Sequence, residues 1–102
     1  MLVSAERPLG NLHAIRVRGL IEGAQADQLS ALITTQHASY RLLVGQASLG
    51  DDWERAFTEA VAAIRRTGRP GILVVDTQGN EDLLTALLER RFTTVHDAIH
   101  VL

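Results

Sequence analysis

Apolar residues along this chain first alternate, then recur at helical spacing, then run in short unbroken blocks, and that succession predicts strands and helices in turn. Met1–Glu6 reads as a short strand closed by Pro8 and Gly10. Over Leu12–Arg18, Ile15 and Val17 alternate with Arg16 and Arg18, the period of a strand with one solvated face. Gly19 and Gly23 bracket Leu20-Ile21-Glu22 as the end of that strand and a turn. From Ala24 to about His37, Ala26, Leu29, Leu32 and Ile33 form the apolar stripe of a first helix. Arg41–Val44 and Gly71–Val75 then carry runs that are apolar on both faces, as central parallel strands covered by helices are. Each leads into a helix, Asp51–Thr67 and Asn80–Arg90, and a last strand near Thr93–His96 closes the series.

The second helix is the best specified. Asp51 is placed to cap its first turn, with Glu54 three residues on to reach back, a capping box. Trp53, Phe57, Ala60, Val61 and Ile64 fall on one face, while Glu54, Arg55, Glu59, Arg65 and Arg66 mark the solvent side. Gly68 follows where that helix must end. The third helix starts at Asn80, with Glu81 and Asp82 near the positive end of its dipole and Leu83, Leu84, Leu87 and Leu88 to bury it. Asp97 reads as one more cap, leaving Ile99–Leu102 as a helical stub whose apolar residues dock on the sheet or on a second copy, which would make a homodimer. Strands alternating with helices on short connections define an α/β fold: a mixed, mostly parallel sheet of four to five strands with helices mainly on one face. Residues 1–102 form one domain, long enough to bury a core without disulfides.

Composition then removes whole chemistries. All ten basic residues are arginine, so a phosphate-loop lysine and a Schiff-base lysine are both excluded. With no cysteine there is no thiol nucleophile, disulfide or cysteine-ligated zinc. A net charge of −2 argues against a nucleic-acid face, which needs clustered positive charge. No apolar run is long enough for export or to span a bilayer, so a cytoplasmic home is expected. No nucleophile–base constellation can be read; neither enzymatic activity nor a cofactor is expected. His96 and His100 have a spacing that would bind metal on one helix, but a strand and a following helix would separate them, leaving surface or packing residues. His13 reads as a solvated or edge position, and Gly45, Gly50 and Gly79 as separate turn glycines.

Two features stay open on residues alone. Asp76-Thr77-Gln78-Gly79-Asn80 is a polar loop at a strand's carboxyl end, where ligands bind in open α/β sheets, or else a plain connection. Trp53 is either the buried head of its helix stripe or an exposed anchor for a partner.

The order of these segments resembles a STAS domain, the fold of anti-sigma factor antagonists and of the cytoplasmic tails of sulfate transporters. Ile15-Arg16-Val17-Arg18-Gly19-Leu20-Ile21-Glu22 is similar to the family's strand ending in glycine, apolar, acidic, and Ala26-Asp27-Gln28-Leu29 starts the first helix as the family does. Ala62–Val75, with Gly68 between helix and strand, and Leu83–Phe92 followed by Thr94–Ile99 resemble the second half. The resemblance implies non-catalytic regulation by protein contact, in signal transduction and control of transcription. In the phosphorylated members a serine opens the second helix. Counting back from Gly68 puts Asp52 at that acceptor position, with Trp53 where glycine is usual and Ser48 the only hydroxyl nearby. The implied contact surface is the Ser48–Trp53 loop (Ser48, Asp51, Asp52, Trp53), Arg55 and Glu59 on the second helix, and Asp76 and Asn80. The implied partner is an anti-sigma factor, of the serine-kinase type, or another STAS protein, with no nucleic acid and no insertion into membrane. Asp51 and Asp52 are also readable as caps and nothing more. The alternatives are a small-ligand module for a nucleotide or lipid, and a cytosolic accessory subunit of a lipid or anion transporter.

Overall fold

The computed structural model describes residues 2–5, 13–33, 39–66, 68, 70–89 and 99–102. In chain order these form strands β1 (Leu2–Ala5) and β2 (His13–Ile21), a 3-10 turn (Gly23–Gln25), helix α1 (Ala26–Leu32), strand β3 (Tyr40–Leu49), helix α2 (Trp53–Arg65), strand β4 (Leu73–Asp76), helix α3 (Glu81–Glu89) and strand β5 (Ile99–Val101). The fold is α/β, with one mixed sheet of five strands in the order β1-β2-β3-β4-β5. Only the first pair is antiparallel; β2 through β5 run parallel.

That consecutive order follows from the connections. Each parallel step crosses over in the same hand and moves the same way along the sheet, so every crossover helix lands on the same face. The side chains agree. Ile15, Leu42 and Val75 stand in one row across β2, β3 and β4, and Tyr40, Leu73 and Ile99 in another. All six are 2% exposed or less and share one core with Leu29 of α1, Phe57, Ala60 and Ile64 of α2, and Leu83 and Leu87 of α3. Burying a side chain of this size contributes roughly 1.5–3 kcal/mol, so this single face carries most of the driving force.

The reverse face holds Arg16, Arg41, Leu43, Val74, Asp76 and His100. Arg41 donates from Nη2 and Nε to Asp76 Oδ2 at 2.7 and 3.0 Å. The register sets that pair diagonally between Leu43 and Val74, each only 6% exposed. The arginine stem and the ion pair therefore lie over apolar surface that no helix among the described residues covers.

Several boundaries differ from the sequence reading. β2 does not turn at Gly19 but continues to Ile21, because β3 supplies a partner that far. β3 itself runs on past Val44 to Leu49. Its register shifts between Arg16 and Arg18 of the partner strand, so that Val44 and Gly45 together face Val17, a β-bulge. The extra residue resets the alternation: Ala47 is buried while Gln46 and Ser48 are exposed. Arg18 donates to Gln46 across that outer face at 2.8 Å. Ser48 and Leu49 are strand residues, not loop. The first helix is shorter than the predicted Ala24–His37; residues 34–38 lie outside the described residues.

The chain's end is the largest correction. Ile99–Val101 is a parallel edge strand on β4, not a helical stub. The Leu102 carbonyl accepts from the Thr77 backbone N–H at 2.9 Å and from its hydroxyl at 2.6 Å, and Ile99 is 2% exposed. Its docking is thus within the chain's own sheet. His100 lies on this strand; the predicted strand at Thr93–His96 and the Asp97 cap fall outside the described residues.

Candidate functional site

Because β2, β3, β4 and β5 run parallel, their carboxyl ends and the loops that follow emerge at one end of the sheet. The connections after β2 and β3 are fastened together. Gly50 N–H donates to Ile21 carbonyl at 2.8 Å, and Gly23 N–H donates to Asp51 carbonyl at 3.1 Å. Gly23 is in close contact with the turn: a Cβ there would lie 2.7 Å from the Asp52 carbonyl oxygen. The result is a stiff ledge on which Asp51, Asp52 and Arg55 are exposed.

Asp52 occupies the N-cap position of α2, but not as a side-chain cap. Its backbone is left-handed, φ 52° and ψ 32°, and its carboxylate makes no capping hydrogen bond. Instead its carbonyl accepts the Arg55 N–H at 3.0 Å. Asp51 lies one residue outside the helix, so the predicted capping box between Asp51 and Glu54 does not form. The physical reason is the ledge: pinning Asp51 carbonyl to Gly23 turns the chain at Asp52, and after glycine, short polar residues tolerate that left-handed conformation best. Asp52→Gly is therefore expected to raise stability by about 0.5 kcal/mol and Asp52→Val to lower it by about 1–2 kcal/mol in urea denaturation. Losses of similar size for both variants would mean that the carboxylate caps the helix after all.

Trp53 is 7% exposed and packs edge-on against Phe57, ring centroids 5.8 Å apart. It is the head of the buried stripe; the exposed-anchor alternative does not hold. Glu59 is half-buried one turn beyond Arg55.

The loop after β4 is built separately. Thr77 is buried, and Gln78 and Gly79 take positive φ, which turns the chain so that Asn80 N–H reaches the Thr77 carbonyl at 2.9 Å. Asn80 caps α3, its Oδ1 accepting from Leu83 N–H at 3.2 Å, as the sequence predicts. The same loop grips the β3 bulge: Gln78 Oε1 accepts from Gly45 N–H and Asn80 Nδ2 donates to Gly45 carbonyl, at 3.1 and 3.2 Å. Gly45 permits this approach, since a Cβ there would meet Gln78 Cβ at 2.8 Å. It is a docking point in a strand, not a turn glycine.

Apart from buried Trp53 and half-buried Glu59, the predicted contact residues therefore divide into three groups. Asp51, Asp52 and Arg55 share the ledge. Ser48 and Asn80 line a shallow groove of about 220 Å³ with Ala47, Leu49, Asp82, Leu83 and Ala86. Asp76 belongs to neither; it pairs with Arg41 on the reverse face, and its Oδ1 accepts from Gln78 N–H at 3.0 Å. The sequence reading missed the groove and the role of Gly23. Alternation over Ala47-Ser48-Leu49 was the available signal for the groove. His13 packs edge-on to Tyr40 with centroids 5.6 Å apart, half-buried rather than solvated.

Among the described residues no group of three histidine, aspartate or glutamate side chains is placed to hold a metal ion, and no helix is long and apolar enough to cross a membrane. The chain matches no family model, no curated protein and no solved structure.

Proposed function

We propose that this chain is a non-catalytic regulatory domain of the STAS type, an anti-sigma factor antagonist-like module that acts in the cytoplasm by binding another protein. Its partner is an anti-sigma factor of the serine-kinase type or another STAS protein. The observation that carries the reading is the ledge. An exposed carboxylate is carried on a hydrogen-bonded backbone turn at the position where the resemblance puts a phosphate acceptor, with Asp51 and Arg55 beside it. The consecutive strand order, with helices on one face, supports the same reading. A single carboxylate carries less charge than a phosphoester, so the contact is set permanently and not switched at that position. The groove beside α3 is smaller than the roughly 300–1,000 Å³ of ordinary small-molecule pockets, which favours a protein partner over a nucleotide.

The test is calorimetric titration against the serine-kinase-type anti-sigma factors of the same genome, followed by incubation with ATP. A complex is expected with at least one of them. Asp52→Asn, which keeps the left-handed tolerance and removes the charge, should weaken it by about tenfold without changing the melting temperature. Mass spectrometry should find residues 48–58 unmodified. No complex with any of these kinases or with another STAS protein of the same genome, or stoichiometric phosphate on Ser48, would sink the reading.

A further inference from the structure

β3 outruns β4. Their pairing ends at Leu43 opposite Asp76, while β3 continues to Leu49 with, among the described residues, only β2 beside it. Which backbone groups this leaves open follows from the bonds already present. Gly50 N–H turns toward β2, bonding Ile21 carbonyl, and Gly45 N–H and carbonyl turn the other way, toward Gln78 and Asn80. Backbone direction alternates along a strand, so Gln46 and Ser48 face β2 while Ala47 and Leu49 face the lane that β4 has vacated. Among the described residues no strand or side chain pairs with them in that lane. The groove of about 220 Å³ occupies this lane, floored by Ala47 and Leu49 and walled by Leu83 and Ala86 of α3.

The geometry points to a peptide-binding groove in which an extended segment of a partner protein, carrying a basic side chain, adds to the edge of β3. Only an extended chain presents N–H and C=O groups at the spacing that Ala47 and Leu49 require, which is the chemistry of strand addition. The small side chains of Ala47 and Ala86 admit small or β-branched residues between sheet and helix. The rim selects the charge: Asp82 lines the groove and Glu81 is exposed next to it, with no basic residue among the described residues of the lining. Neither Asp51 nor Asp52 lines the groove, so the inference stands apart from the partner proposed for the ledge.

The test uses the whole chain and an array of acetylated, amidated hexapeptides that combine alanine, valine or threonine with arginine, lysine, glutamate or serine. Selected peptides should carry arginine or lysine among small residues. On adding one, amide exchange at Ala47 and Leu49 should slow by about tenfold or more, while Gln46 and Ser48, already bonded to β2, stay unchanged. N-methylation along the peptide should abolish binding at every second residue only. Ala86→Trp, which fills the groove from the half-buried outer part of α3, and Asp82→Arg should each weaken binding at least tenfold with the melting temperature kept. The inference fails if Ala47 and Leu49 are protected in the free protein, whether alone or with rising protein concentration, since the edge would then be covered already. It fails equally if the selected peptides bind Ala86→Trp unimpaired, or if ATP or GTP and no peptide protects these amides.

Discussion

Deleting Ile99–Leu102 is expected to lower the melting temperature by roughly 15–30 °C, a loss of about 4 kcal/mol or more in a domain of this size. The deletion removes β5, which pairs with β4 from Leu73 to Val75. Burial of Ile99, 2% exposed, contributes about 1.5–3 kcal/mol of this. Thr77, also 2% exposed, loses the one carbonyl that takes both its N–H and its hydroxyl, at about 0.5–1.5 kcal/mol for each hydrogen bond. Circular dichroism on heating reads the effect. Since the strand docks inside its own sheet, the melting temperature of the truncated chain should not depend on protein concentration. A truncated protein melting within about 5 °C of the full chain would show that β5 contributes little.

Gly23→Ala is the second large effect, and it joins stability to function. An added methyl would sit 2.7 Å from Asp52 carbonyl oxygen, 2.8 Å from its Cβ and 3.2 Å from Arg55 Cβ. Backbone on both sides is fixed by the Gly23–Asp51 and Gly50–Ile21 hydrogen bonds, so the clash has no flexible side chain to absorb it. Overpacking of this kind costs about 1–3 kcal/mol. The ledge relieves it by moving Asp51 and Asp52 outward. Binding of the proposed partner should therefore fall further than for Asp52→Asn, even at temperatures where the variant is fully folded. Chemical denaturation and titration on the same sample separate the two. A variant as stable as the parent would mean that the two loops are not held in contact in solution.

Both effects arise at contacts between segments far apart in the chain, which is where local sequence signals stop. Gly68, the Trp53–Ile64 stripe and the Asn80 cap are legible because each is a relation between residues a few positions apart. The class of fold is legible for the same reason, from apolar strands alternating with amphipathic helices. The continuation of β3 past Val44 is not, since Gly45 followed by Gln46 and Ser48 resembles a loop until β2 is known to lie alongside. The tail misleads for the converse reason. Ile99, Val101 and Leu102 suit a helix or a strand equally, and only the open edge of β4 decides between them.

The residue pattern carries the alternation of strands and helices, the face that α2 buries and the chemistries that ten arginines, no lysine and no cysteine exclude, whereas Leu88, expected in the buried stripe of α3, is exposed. Tertiary structure alone decided that Asp52 turns left-handed instead of capping, that Asp76 is committed to Arg41, and that Ser48 and Asn80 meet across a groove. The division has one physical cause. Periodicity and capping act over three or four residues and are written locally, whereas ledge, ion pair and groove join distant positions through strand register, as in the separation of 35 between Arg41 and Asp76. That register exists only once the sheet has formed.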